Sequence, residues 1–221
     1  MFGRTLSMLL LLMALNLPQA RPIIIDTMYG KIQGFEMTTA DGAKANVFLG
    51  VPYARPPIGE LRFQPPQQNE PWSHILNVSE LKPMCMQTFY ENESEDCLYM
   101  NIYVPTKLTR RKLHPVLLWI HGGSFILGSG NYFHVDGTID NLVDRGLIFV
   151  SVNYRLGFWG FSSLLNKSMP GNLGLRDQIS ALQWIRANIR SFNGDPKSVT
   201  VAGDSAGAVS ASILAISPLA K

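Results

Sequence analysis

The stretch SVTVAGDSAGAVSASILAI, residues 198–216, limits the fold more than any other part of the chain. A β-branched, apolar run enters Gly203-Asp204-Ser205-Ala206-Gly207, and a helical pattern follows at once. A strand that becomes a helix through so short a turn must lay that helix back on its own sheet. PVLLWI (115–120) and LIFVSVNY (147–154) are nearly continuous apolar runs, as expected of strands covered on both faces. Between them and residue 198, Leu175, Ile179, Leu182, Ile185 and Ile189 recur at intervals of four, three, three and four, which predicts a helix over about 175–189. Strand, helix, strand and helix in this order indicate an α/β fold whose central strands are parallel.

The amino-terminal half reads differently. Short apolar runs broken by glycines over 23–49 suit a small antiparallel meander. VPYARPPIGELRFQPPQ (51–67) is too rich in proline to continue a helix and predicts an irregular, extended crossing. LYMNIYVP (98–105) reads as a further strand. No internal repeat interrupts the chain, so residues 21–221 are expected to form one domain.

Before that domain comes MFGRTLSMLLLLMALNLPQA, residues 1–20. Arg4 precedes an apolar run from about Leu6 to Leu17, and the small Ala20 follows. This is the organisation of a secretory signal peptide; a signal anchor is the alternative, although the run is short for a membrane span. Export permits a disulfide between Cys85 and Cys97, the two cysteines of the chain. It also fits the sequons at Asn77, Asn92 and Asn166. The cysteines and histidines lack the spacing of a zinc site, so neither metal nor cofactor is expected. A net charge of +3, with one basic run at 109–112, gives a nucleic-acid role little support.

Gly203-Asp204-Ser205-Ala206-Gly207 fits the G-x-S-x-G nucleophile elbow. A serine there stands clear of the strand end, and the helix that follows turns its positive end toward charge developing at the site. His121-Gly122-Gly123-Ser124-Phe125 follows the strand at 115–120 and can present backbone amides to an oxyanion. Gly128-Ser129-Gly130 lacks the remaining glycine and the strand-to-helix setting of a dinucleotide fingerprint.

FLGVPYARPPIGELRFQPP, SEDCLYMNIYVP, LLWIHGGSF, SVNYRLGFWGF, GNLGLRDQISALQWIRANIRSFNGDP and VAGDSAG, in this order, resemble the type-B carboxylesterases. That family includes the cholinesterases and the neuroligin-like adhesion proteins. The resemblance implies an α/β-hydrolase fold and hydrolysis of small carboxylic esters through a serine acyl-enzyme. It implies Ser205 as nucleophile and the amides of Gly123, Ser124 and Ala206 as oxyanion donors, with Gly122 shaping the turn. It also implies a Cys85–Cys97 disulfide and the ion pairs Arg62–Glu95 and Arg155–Asp177.

Some positions depart from the family pattern. Asp204 replaces the usual Glu, Ser124 the third glycine of the turn, and Phe192-Asn193-Gly194 the common Phe-Gly-Gly. The loop between the cysteines lacks the tryptophan that cholinesterases set against a quaternary ammonium; Phe89 and Tyr90 are its aromatic residues, and acetylcholine is not the expected substrate. His74, His114, His121 and His134 all precede the elbow, and none matches the family's base. The expectation is therefore an α/β-hydrolase fold truncated after the elbow, without the triad's acid and histidine, and poorly soluble because the last strand keeps a bare edge. A secreted serine esterase is the favoured function. A catalytically silent, neuroligin-like adhesion or scaffold relative, or an inactive fragment, is the alternative.

Overall fold

The computed structural model describes residues 22–87, 91–107 and 113–220. The expected leader at 1–20, Phe89, Tyr90 and the basic run at 109–112 lie outside the described residues.

The chain opens with the predicted meander: β1 (Pro22–Thr27), β2 (Gly30–Thr38) and β3 (Lys44–Pro52), each antiparallel to the one before. The proline-rich crossing contains one short 3-10 turn, Gly59–Leu61. Two residues, β4 (Leu76–Asn77), add to β2, and β5 (Met84–Cys85) pairs with β6 (Glu93–Ser94). The predicted disulfide, Cys85–Cys97, ties this region to the start of β7 (Tyr99–Pro105). Then come β8 (His114–Ile120), β9 (Ile148–Val152) and β10 (Gly194–Gly203). The main sheet runs β1-β2-β3-β7-β9-β8-β10. The antiparallel part reaches further than the meander, through β7 to β9; β9, β8 and β10 are mutually parallel. The α/β class and the parallel centre are those predicted.

Both faces of the central strands are covered, which is why their sequences show no polar alternation. Val116, Leu118 and Ile120 of β8 join Ile148, Val150 and Val152 of β9 in one core with the helix α3 (Leu173–Asn188). On the opposite face Leu117, Trp119 and Phe149 pack with Ile139 and Val143. Those last two belong to the β8–β9 crossover, where a short helix α1 (Val135–Thr138) widens into a π-type turn, Ile139–Val143. A five-residue helix α2 (Gly157–Phe161) precedes α3, and α4 (Ala206–Ile216) follows β10. Among the described residues no helix is long and apolar enough to cross a membrane.

The helix predicted over 175–189 is present, and Ile179, Leu182, Ile185 and Ile189 of its predicted face pack in or against the core. Leu175 and Ile179 are only half-buried, whereas Asp177, Gln178 and Asn188 are buried. Each of these polar residues has a partner. Asp177 binds Arg155, Gln178 donates to Ser210 Oγ at 3.0 Å, and Asn188 accepts from the Met28 amide at 2.8 Å. Hydrogen bonding makes their burial tolerable and widens the buried face beyond the apolar stripe. Asn193, the departure from Phe-Gly-Gly, sits at φ 60°, a left-handed conformation that asparagine tolerates better than most residues. β10 is the last strand of the order, and among the described residues nothing pairs with its outer edge.

Candidate active site

Strand β10 ends at Gly203 and α4 begins at Ala206, so the reversal is confined to Asp204 and Ser205. The Gly207 amide donates to Asp204 O at 2.7 Å and that of Val209 to Ser205 O at 3.1 Å, closing the turn. Ser205 has φ 48° and ψ −119°, a region glycine populates and other residues avoid. Its side chain is exposed and caps no helix amide. A β-carbon on Gly207 would run into the carbonyl oxygen of Ile120, so the first turn of α4 lies directly on the end of β8.

The parallel register pairs Gly203 with Ile120. The segment leaving β8 therefore emerges beside the elbow, which brings together two motifs separated by about eighty residues. The Gly122 amide donates to Asp204 Oδ1 at 2.9 Å, a direct tie between them. Asp204 thus keeps an acceptor in reach despite being shorter than Glu. Gly123 takes φ +108° where its neighbours leave no room for a β-carbon, and Ser124 and Phe125 follow at φ 54° and 62°. Ser124 accordingly holds a conformation in which a third glycine would be unstrained. The turn is anchored behind by Phe125, which packs on Phe161 and accepts from the Gly157 amide at 2.6 Å. Among the described residues, the amides of Gly123, Ser124 and Ala206 donate to no protein acceptor. The turn that carries two of these free donors is thus tied to the elbow that carries the third and the exposed Ser205.

His121 supports this turn from behind. It is buried, stacks on Tyr154 with centroids 4.4 Å apart, and places Nδ1 2.8 Å from Gly122 O. A carbonyl can only accept, so Nδ1 carries the proton. Burial pulls its pKa down to about 4, against the opposing effects of that hydrogen bond and of Asp204. Tyr154 donates its hydroxyl to His121 O at 2.9 Å. His114 lies at the far end of β8, bonded to Gly146 O, while His74 and His134 are exposed on loops. Among the described residues, no hydrogen bond joins Ser205 to a histidine.

Both implied ion pairs form. Arg155 meets Asp177 in a buried fork, Nε–Oδ2 2.8 Å and Nη2–Oδ1 2.7 Å, and also donates from Nη1 to Gln64 O at 2.8 Å. Burial alone would lower the guanidinium pKa, but the facing carboxylate leaves it raised. Arg62 and Glu95 form a second fork nearer solvent, with the guanidinium over the Trp159 ring. Asn77, Asn92 and Asn166 are all exposed.

A cleft of about 380 Å³ opens beside the turn, lined by Trp119, Gly122, Gly123, Leu127, Phe133 and Asp204 among others. Its back wall explains Gly128-Ser129-Gly130. Gln87 both donates to Gly128 O (2.9 Å) and accepts from the Gly128 amide (2.8 Å), and Asn153 Oδ1 accepts from Ser129 and Gly130. Gln87 and Asn153 have no signature in the sequence apart from the position of Asn153 in the SVNYRLGFWGF landmark.

Comparison with known proteins agrees with this geometry. A profile of the carboxylesterase family matches residues 21–221. Liver carboxylesterase of Sus scrofa is 43% identical over 220 residues, covering 91% of this chain and 38% of that protein. Liver carboxylesterase 1 of Oryctolagus cuniculus is 43% identical over 225 residues, covering 92% and 39%. The crystal structure of juvenile hormone esterase from Manduca sexta, with OTFP covalently attached, superposes with a TM-score of 0.84 at 39% identity, covering 91% of this chain and 39% of that one. The chain thus spans about two fifths of the length of the relatives it matches.

Proposed function

The chain belongs to the carboxylesterase family, and on that premise we propose that it carries the nucleophile and oxyanion site of a serine-dependent carboxylic ester hydrolase. The observation that supports this most is the Ile120–Gly203 register, which brings the turn after β8 to the elbow that carries the exposed, strained Ser205. Ser205 Oγ attacks the ester carbonyl carbon while its proton passes to a base. The carbonyl electrons move onto oxygen, where the amides of Gly123, Ser124 and Ala206 stabilise the charge. Collapse of this intermediate expels the alcohol, which takes up the proton, and leaves an acyl-enzyme that water then hydrolyses. The covalently attached OTFP of the Manduca sexta relative supports a covalent route.

Neutral, buried His121 holds the oxyanion turn and is not the base. None of the described histidines is assigned as the base, since among the described residues none bonds to Ser205. The substrate is a small carboxylic ester. Export through the secretory pathway is part of the same proposal, and the Cys85–Cys97 disulfide supports it.

A fluorophosphonate probe tests the central assignment on the full-length protein. Stoichiometric labelling of the wild type, mapped to Ser205 and lost in Ser205→Ala, is the expected result. Labelling that survives in Ser205→Ala, or folded wild-type protein that never labels, would sink the assignment, and the second outcome would favour the silent adhesion or scaffold reading.

A further inference from the structure

The three sequons do not have equal geometry. In the loop 162–170, the Asn166 carboxamide oxygen accepts three hydrogen bonds: from the Ser168 amide (3.0 Å), the Ser168 hydroxyl (2.7 Å) and the Met169 amide (3.0 Å). Its nitrogen, Nδ2, donates to nothing among the described residues, and the side chain is exposed. The loop is held in this form. The Leu164 amide and the Ser163 hydroxyl both donate to Met169 O, and Gln64 reaches Ser168 O at 2.9 Å.

Asn77 lies instead within β4, in register with Gln33. The next residue, Val78, is bound on both sides, donating to Gln33 O and accepting from Leu49 N, so the backbone stays extended. At Asn92 the sequon serine is turned away, because Ser94 Oγ accepts from the Asp96 amide at 3.1 Å. Among the described residues, neither Ser79 nor Ser94 bonds to its own asparagine.

We propose that Asn166 is an N-glycosylation site of the folded protein and the most fully occupied of the three. The chemistry requires the amide nitrogen to act as a nucleophile, which a carboxamide resists because its lone pair is delocalised toward oxygen. Three donors on Oδ1 stabilise the negative charge that collects there as Nδ2 loses a proton. Nδ2 then forms a bond to the anomeric carbon of a lipid-pyrophosphate-linked oligosaccharide. The bond from that carbon to the pyrophosphate oxygen breaks, the lipid pyrophosphate leaves with the electron pair, and the proton goes to the transferase's base.

The surroundings give the sugar a physical role. Leu164 and Leu165, next to Asn166 in the chain, are 67% and 93% exposed. Two consecutive bare leucines add apolar surface that favours association. A glycan rooted at Asn166 would screen them.

The test is site mapping of the full-length protein expressed in insect or mammalian cells. Enzymatic release of glycans in heavy-oxygen water leaves a labelled aspartate at each occupied position. Expected is a labelled residue 166 in most molecules, at higher occupancy than residues 77 and 92. Asn166→Gln and Ser168→Ala should each remove the same gel-mobility step, whereas Ser168→Thr should keep it. Ser168→Ala leaves the asparagine in place, so its effect does not depend on tolerance of the Gln variant. Recovery of residue 166 as unmodified asparagine overturns the proposal, whether or not the other two sites carry sugar. Because occupancy is read without substrate, this outcome is independent of whether Ser205 is a nucleophile.

Discussion

Ser205 can be replaced in two ways that separate its chemistry from its conformation. Both Ser205→Ala and Ser205→Gly remove the hydroxyl. Only glycine is at ease at φ 48°, ψ −119°. Holding a residue with a β-carbon in such a region costs roughly 1–3 kcal/mol. Glycine returns about 0.5–1 kcal/mol of that through its larger entropy in the unfolded chain. The balance is about 1 kcal/mol in favour of Ser205→Gly over Ser205→Ala, or about 2–4 °C in Tm for a chain of this size. Ser205→Ala itself should lie within about 0.5 kcal/mol of wild type, because the exposed hydroxyl caps nothing. Calorimetry on the three proteins in one buffer gives the ranking, and the fluorophosphonate probe gives the loss of function. The expected pattern is a glycine variant that cannot be labelled yet melts highest. If it melted below Ser205→Ala, the elbow would hold no strain and the reasoning from its backbone angles would fail.

Further outcomes follow from the supporting contacts. Asp204→Ala removes the acceptor of the Gly122 amide and should lower kcat by about 10–100-fold, the equivalent of about 1–3 kcal/mol in the transition state, with a smaller change in KM; an unchanged kcat would show that the turn holds its shape without this bond. Asp177→Ala strands the buried Arg155 and should cost about 3–5 kcal/mol, read as a lower denaturation midpoint. The double variant Arg155→Met/Asp177→Leu should lose less than the single one, and equal losses would argue against a desolvated pair. His121 has a folded pKa of about 4 against an ordinary 6.5, so the unfolded chain binds the proton more readily between those values. Its contribution, about 3 kcal/mol at most, is complete above about pH 6.5 and is lost as the pH falls toward 4. Urea titrations from pH 7 to 4 should show that loss in the wild type and a shallower one in His121→Asn; parallel curves would refute the assignment.

How much of this could be read from the residues depended on whether the signal was local. The strands β8 and β9 were legible because layers on both sides of the sheet require apolar residues at every position. The elbow was legible because only glycine fits where α4 lies on β8. The crossover helix left no comparable trace. Within HVDGTIDNLVDRG only Ile139 and Val143 are fully buried apolar residues, a single pair too short to establish a period. The polar part of α3's buried face was not legible for the opposite reason, since Asp177, Gln178 and Asn188 are buried beside the predicted apolar stripe by partners that come from other elements. Gln87 and Asn153, which fix the back of the cleft, act as single polar side chains on distant backbone and follow no periodic pattern; Asn153 is visible only as part of the SVNYRLGFWGF landmark.

The site itself falls between these cases. Its two motifs were each visible, but their meeting depends on the pairing of Ile120 with Gly203. An antiparallel hairpin writes its register into the turn that joins its strands. Parallel strands have no such turn: β8 and β10 are joined through β9, α3 and more than seventy residues of chain. Their register is instead set by side-chain packing on both faces and by contacts at the strand ends, where Gly207 meets Ile120 O and Asp204 takes the Gly122 amide. These end contacts lie within the two motifs themselves. The motifs that supply the candidate nucleophile and its amide donors therefore also carry, on neighbouring residues, the contacts that hold the strands in register, so a substitution at Gly207 should disturb alignment and chemistry at once.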